Sequence, residues 1–322
     1  MLPVKTLIIT RFGRRRRTLR RRRLSRFTPR FTHLPHRLGR VIDMQQVPNV
    51  TLNNGVKIGQ LGYGVYKVPA ADSLSLVGQA LEAGYRSIDT AALYANEEGV
   101  GQAVRQAASD GGPLSREDIV VTTKVWNDSH GFDRTLAAFE ESLHKLGLDY
   151  VDLYLIHWPC PEQDLYIQTY RALERLYHDG RVRAIGVCNF EPEHLRRLLD
   201  AAEVVPAVNQ VELHPWLQQN EVRAVNAEAG ILTEAWSPLA RGQLLADPVL
   251  VRIAAGLGRS VAQVVLRWHI QLGSIAIPKA SSPARIRENR NIFDFQLDDG
   301  AMAAIAALDR GHRSGSDPSR VN

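Results

Sequence analysis

At 322 residues with a hydrophobic fraction of 44%, the chain can build one large domain or two ordinary ones. No apolar run approaches the roughly 20 residues that span a membrane, and two cysteines, Cys160 and Cys188, neither make a disulfide framework nor show a metal-ligand spacing, so a reducing cytoplasm is the expected setting. The net charge of +6 hides an asymmetry: residues 1–43 hold 14 of the 40 Lys/Arg and one of the 34 Asp/Glu, a net of +13, while the 26 basic and 33 acidic residues that follow carry −7.

The basic segment contains two arginine blocks, Arg14 to Arg17 and Arg20 to Arg23, followed by Pro29, Pro35 and scattered His and Thr. It has no helical or strand period and its like charges repel, so residues 1–43 are predicted to be a disordered extension. Three readings of it stay open. Guanidinium clusters neutralise phosphates, which suits an arm for nucleic acid or an anionic membrane. A targeting sequence is the second, although a secretory signal needs an apolar core after its basic region and Leu7-Ile-Ile9 comes before it. In the third, native translation begins at Met44, which opens an ordinary-looking protein start.

From there the pattern becomes regular. Val50-Thr-Leu52 and Val56-Lys-Ile58 flank Asn53-Asn-Gly55 and predict a hairpin. Strands are expected at 61–66, 86–89, 119–125, 151–157, 182–188, 207–213, 231–236 and 274–278. Helices are expected at 73–83, 97–107, 132–146, 165–178, 192–202, 219–229, 248–255, 261–272, 283–292 and 298–308. The strands read as near-continuous apolar runs, as strands buried on both faces do. Eight β-then-α units predict a (β/α)8 barrel as a single domain over 44–322, with an N-terminal hairpin and an extra C-terminal helix. A doubly wound nucleotide domain would show G-x-G-x-x-G after its first strand. Gly62-Tyr-Gly64 lacks the third glycine and leads into no helix, so it counts as no signal for that fold.

In a barrel, chemistry collects at the C-terminal ends of the strands. Asp89 ends the second barrel strand, Tyr94 lies in the loop beyond it, Lys124 is near the end of the third and His157 ends the fourth. Asn96 is expected to cap the helix after Tyr94, with Glu97 and Glu98 in its positive first turn. Each residue alone has an ordinary structural explanation: a cap, an edge lysine, a core histidine. Together on three neighbouring strands they have a chemical one. A buried Lys needs a partner, and Asp89 is the natural one. An ammonium beside a phenol is expected to lower its pKa and make Tyr94 a better general acid. His157 could orient a carbonyl oxygen. Such a set suits protonation of the oxyanion formed when hydride reaches a carbonyl carbon, and since no side chain delivers hydride, a nicotinamide is implied. Lys279 and Arg285 after the eighth strand suit a phosphomonoester and favour NADPH over NADH. Tyr66, Trp126 and Trp158 lie at or just after strand ends and are candidate walls of a substrate pocket.

The motifs, in order, resemble the aldo-keto reductase superfamily over about residues 46–322. They are Asp89-Thr-Ala-Ala-Leu-Tyr94-Ala-Asn96-Glu97, Lys124-Val-Trp126, Leu155-Ile-His157-Trp158-Pro159, Gly186-Val-Cys188-Asn189-Phe190, Ile277-Pro278-Lys279 and Arg285-Ile-Arg-Glu288-Asn289. Trp236-Ser237-Pro238-Leu239 and the short loop after Pro159 are most similar to the prokaryotic 2,5-diketo-D-gluconate reductase-like group. The resemblance implies Tyr94 as proton donor in a tetrad with Asp89, Lys124 and His157. It implies Asn189 and Gln210 on the nicotinamide carboxamide, Trp236 stacked on the ring, and Ser237 and Leu239 along the pyrophosphate. It places Lys279, Ser281 and Arg285 on the 2′-phosphate, with Glu288 and Asn289 near the adenine. Two positions depart from it: Cys188 stands where the family usually has Ser, and Ala280 where a polar residue is common. No metal is implied. The expected protein is a monomeric NADPH-dependent reductase of small aldehydes and ketones, keto-sugar acids and dicarbonyls among them. Its C-terminal tail is expected to be too short for a closed specificity pocket. Rival readings are a non-catalytic cofactor-sensing barrel, a lyase forming a Schiff base on Lys124, and a nucleic-acid-binding protein acting through residues 1–43.

Overall fold

The computed structural model describes residues 46–109 and 111–322, so the arginine blocks and Met44 lie outside the described residues, and the expectations placed on them do too. The hairpin comes first, β1 (Asn49–Thr51) paired antiparallel with β2 (Lys57–Gly59), Val50 opposite Ile58. Eight strands then alternate with helices: β3 (Tyr63–Gly64), α1 (Ala70–Glu82), β4 (Ser87–Asp89), α2 (Glu97–Ala107), β5 (Val120–Val125), α3 (Phe132–Leu146), β6 (Val151–Ile156) and α4 (Tyr166–His178). They continue as β7 (Val182–Cys188), α5 (Pro192–Leu199), β8 (Val208–Glu212), α6 (Asn220–Glu228), β9 (Leu232–Trp236), α7 (Pro248–Leu257), α8 (Val261–Gln271), β10 (Ile275–Ala276), α9 (Pro283–Arg290) and α10 (Asp299–Ala306). The eight strands β3 to β10 are parallel and lie in chain order. A parallel bridge between Leu61 and Ala276 joins the first to the last. The fold is therefore the expected (β/α)8 barrel.

The seam is where the sequence-based boundaries are furthest off. The strands expected at 61–66 and 274–278 shrink to two regular residues each. Contact there is carried by separate hydrogen bonds: Ala276 N to the Gln60 oxygen at 3.0 Å, Gly62 N to the Ala276 oxygen at 2.9 Å and Gly64 N to the Pro278 oxygen at 3.2 Å. A Cβ on Gly62 would meet Ile277 Cγ2 at 3.0 Å, and one on Gly64 the Ile277 carbonyl oxygen at the same distance. The glycine pair that carries no nucleotide signal thus serves the close approach of two backbones.

Two apolar layers hold the barrel. Outside the sheet, residues such as Ile88, Val121, Tyr154 and Ile185 pack under helix residues such as Val77, Val104, Phe139 and Leu173. Inside, Leu153, Leu155, Ala184, Val208 and Ile275 meet Leu52 and Ile58 of the hairpin. The hairpin is therefore a plug that fills the end of the barrel opposite the strand C-termini. Each such fully buried Val, Leu or Ile contributes about 1.5–3 kcal/mol. Among the described residues no single helix is long and apolar enough to cross a membrane.

The expected cap on α2 takes a different form. Asn96 occupies the N-cap position but makes no side-chain cap hydrogen bond. Its Nδ2 donates instead to the backbone oxygens of Val65 and Val68 at 3.0 and 3.1 Å, and its Oδ1 accepts from Thr90 Oγ1 at 2.8 Å. The buried amide ties the loops after β3 and β4 together, which fixes the segment that carries Tyr94.

Candidate active site

Asp89 is the last residue of β4, Lys124 is the fifth of β5, and His157 follows β6 directly. Tyr94 ends a single 3-10 turn, Ala92–Tyr94, which Ala95 closes in the left-handed region at φ 53°. The structure brings the four together. Lys124 Nζ, fully buried, donates to Asp89 Oδ1 at 2.7 Å and Oδ2 at 2.8 Å, to the Thr90 oxygen at 2.9 Å and to the Tyr94 hydroxyl at 3.4 Å. The Tyr94 and His157 rings meet edge to face with centroids 5.6 Å apart.

The electrostatics follow from burial first. Burial opposes the charge on Lys124, but the touching Asp89 carboxylate, together with Tyr94 and Cys188, raises the ammonium pKa above its ordinary value. For Tyr94 the sequence-based direction is corrected. Burial drives its pKa above the ordinary phenol value; Lys124 pulls it down, and Asp89 pushes it up. The expectation counted the ammonium and left out both the desolvated site and the carboxylate that opposes its field. Tyr94 is therefore a firmly protonated phenol, a donor rather than a phenolate. His157 is held well below the usual imidazole value, first by burial and then by the charge of Lys124. Its Nδ1 is buried with no partner among the described residues. A buried lone pair is more tolerable than a buried unpaired N–H, so the proton of the neutral ring belongs on Nε2, the nitrogen left to face the cavity.

A second ring of polar groups surrounds these four. Asn189, left-handed at φ 63° just past β7, donates from Nδ2 to the His157 oxygen at 2.9 Å and accepts from Trp236 Nε1 at 2.8 Å. Gln210 in β8 donates from Nε2 to Asp89 Oδ1 and to Glu234 Oε2, both at 2.8 Å. Asp89 Oδ1 already accepts from the Lys124 ammonium and must accept here too, so the amide orientation is fixed and Oε1 is left as the free acceptor. Glu234, in the middle of β9, escaped the sequence reading: a single acid inside an apolar run carries no local signal of its partners. Cys188 is fully buried beside this group, and burial keeps its thiol protonated.

Above the four lies a cavity of ≈ 260 Å³ lined by Tyr66, Trp126 and Trp158, with Leu93, Ile277 and Arg241. Asp89, Tyr94, His157, Asn189, Gln210, Trp236, Ser237 and Lys279 line it too. Tyr66 stands 5.1 Å from Tyr94, and Trp126 stands 5.1 Å from His157, centroid to centroid. The C-terminal tail, short as it is, supplies Ser316 and Val321 to the wall. Glu212 anchors it, accepting from Ser314 N, Ser314 Oγ, Gly315 N and the His214 ring. Gly315 lies so close to Trp236 that a Cβ there would sit 2.4 Å from the indole. Neither the tail nor Arg241, which sits in a left-handed kink, has a sequence pattern that announces it.

At the far edge Lys279 Nζ donates to Ser281 Oγ at 2.6 Å, directly before α9, whose N-terminus is capped by Ser282. Arg285 and Glu288 are exposed on that helix and Asn289 is buried; these three, Ser281 and Leu239 stand outside the cavity lining. A helix N-terminus flanked by Lys and Arg is a ready anion site.

A carboxylate, an ammonium, a phenol and an imidazole thus converge at the strand ends of a plugged barrel, under a cavity walled by aromatic rings. The family model "Aldo/keto reductase family" matches residues 57–310, and the chain belongs to that family. An aldo-keto reductase of Mycobacterium sp. (strain KMS) is 52% identical over 275 residues, covering 85% of this chain and 98% of the relative. Glyoxal reductase of Bacillus subtilis (strain 168) is 50% identical over 273 residues, covering 84% and 96%. A crystal structure of a Gox0644 mutant in complex with NADPH superposes with a TM-score of 0.81 at 44% identity, covering 86% of this chain and all of that one.

Proposed function

We propose that the protein reduces small aldehydes and ketones to alcohols with NADPH, and that 1,2-dicarbonyls of the glyoxal type are its leading substrates. The observation that carries this reading is the buried Lys124–Asp89 pair with the Tyr94 hydroxyl 3.4 Å from its ammonium, under a cavity walled by aromatic rings. The glyoxal reductase relative and the NADPH-bound neighbour support the substrate and the cofactor.

The residues fit a nicotinamide dinucleotide. Gln210 Oε1, the acceptor left over at the cavity, suits a carboxamide N–H, with Asn189 beside it and the Trp236 indole to stack on the ring. Ser237 and Leu239 would line the pyrophosphate path. Lys279, Ser281 and Arg285 would hold the 2′-phosphate at the α9 N-terminus, and Glu288 and Asn289 would lie near the adenine. When bound, the cofactor supplies hydride, which no side chain can. His157 donates from Nε2 to the carbonyl oxygen and orients it. Tyr94 gives its hydroxyl proton to that oxygen as negative charge develops there, and Lys124 stabilises the phenolate left behind. Asp89 keeps Lys124 charged and aimed. Tyr66, Trp126 and Trp158 exclude water and select by shape.

The site is complete within one chain, so a monomer suffices, and 44–322 act as one catalytic domain. Cys160 and Cys188 are free and buried, which suits the cytoplasm. The test is NADPH oxidation across a panel of glyoxal, methylglyoxal, keto-sugar acids and aryl aldehydes. Dicarbonyl turnover is expected to lead; no oxidation with any carbonyl would overturn the reading.

A further inference from the structure

Glu234 has no part in the chemistry above, yet it is only 1% exposed and sits one amide away from the reacting groups. Gln210 Nε2 sends one proton to Glu234 Oε2 and the other to Asp89 Oδ1, so a single neutral amide bridges two carboxyl groups. The pairing register holds it there, with Gln210 directly beside Glu234 on the neighbouring strand. The titratable and charged groups facing Glu234 are Asp89 on β4, Lys124 on β5 and the protonated thiol of Cys188 on β7. On the other flank β10 presents only Ile275. Among the described residues Lys124 is thus the one cation available to two acids.

Two anions and one cation, all desolvated, leave an uncompensated negative charge, and that is costly. With a proton on Glu234 the cluster is neutral. Burial, then repulsion from Asp89, pushes Glu234 up to about 7, while the Gln210 hydrogen bond and Lys124 pull the other way. The group therefore changes charge close to neutrality.

We propose that Glu234 is a positioning residue for carbonyl reduction: acting through Gln210 and the Asp89–Lys124 pair, it sets the charge against which Tyr94 gives up its proton. The inference rests on the reading of Tyr94 as proton donor. While Glu234 is protonated, the phenolate forms beside Lys124 in a neutral cluster. Once Glu234 has lost its proton to solvent, the phenolate forms against an extra negative charge. Reduction slows, on the order of tenfold, as pH rises through neutrality, well before Tyr94 itself titrates.

The test is the pH profile of kcat for glyoxal reduction, from about pH 5.5 to 9, in the wild type, Glu234→Gln and Glu234→Asp. The wild type should lose rate in a step near neutrality. E234Q keeps the acceptor for Gln210 without the charge, and should hold the low-pH rate with no step. E234D should retain one. Superimposable wild-type and E234Q profiles overturn the inference while leaving the reductase reading intact; that reading fails separately, by the wild type turning over no carbonyl at all. If the variants do not fold, a carbon-13 titration of glutamate carboxyls in the wild type decides. A carboxyl that titrates near neutrality and shifts on adding NADP+ supports the proposal, and its absence overturns it.

Discussion

Replacing Lys124 with Met tests the buried pair most directly. Met roughly preserves volume and flexibility, so the change removes charge more than packing. The structure shows what is lost: two hydrogen bonds to Asp89, one to the Thr90 oxygen and one to the Tyr94 hydroxyl, all from an ammonium with no solvent exposure. Asp89, 4% exposed, keeps only the Gln210 hydrogen bond on its side chain. Breaking a buried pair from one side costs about 3–5 kcal/mol. An independent route gives a similar figure. A stranded carboxylate can take up a proton instead, and starting from ~3.9 for a free aspartate that costs about 4 kcal/mol at pH 7. Denaturant unfolding at neutral pH should therefore show K124M destabilised by about 3–5 kcal/mol. The double variant with Asp89→Asn should recover at least ~1–2 kcal/mol of that, because no charge is left unpaired. A K124M loss below ~1 kcal/mol, or a double variant less stable than K124M, would refute the claim that the two charges compensate one another in a dry site.

Three further outcomes are expected. Tyr94→Phe should cut kcat by on the order of 10²–10⁴ while NADPH binding, followed by tryptophan fluorescence, stays within about threefold; unimpaired turnover would remove Tyr94 from the chemistry. Lys279→Met should raise KM for NADPH by roughly 10- to 100-fold, the worth of a charge-assisted contact, and leave KM for NADH nearly unchanged. The third concerns Glu212. Burial opposes its charge, but hydrogen bonds from His214 and Ser314 overcome this and hold its pKa below the ordinary carboxylate value. Its grip on the tail is therefore fully present above that ordinary value and is lost as pH falls through the depressed one. Limited proteolysis of the tail should be slow at neutral pH and accelerate only in acid, while Glu212→Ala should show fast tail cleavage and a raised carbonyl KM at every pH.

Period and punctuation were enough to read the barrel from sequence. The apolar runs at 119–125 and 151–157 and the stop at Gly147 mark β5, β6 and α3 to within a residue or two, because each is decided by local alternation and a local breaker. The seam strands were overread because their partners across the seam are more than 200 residues away, and a two-residue strand has no period. At the site, the residue types at the strand ends were legible and their neighbours were not. Asn96 looks like a cap from sequence because caps are local, yet its amide is spent on a loop 28 and 31 residues away. Glu234 was missed and the shift of Tyr94 misjudged for one reason: both depend on how much water and how many charges the folded barrel leaves around a group.

The hairpin that fills the base of the barrel has a kinetic consequence. With that end packed by Leu52 and Ile58, the cavity is reached from the strand C-termini alone, so two reactants must share one doorway. In the proposed function Gln210 and Trp236, both in the cavity wall, seat a ring that must be in place before a carbonyl can rest over Tyr94. That reading predicts a queue in which the dinucleotide arrives first and leaves last, and product-inhibition patterns check it.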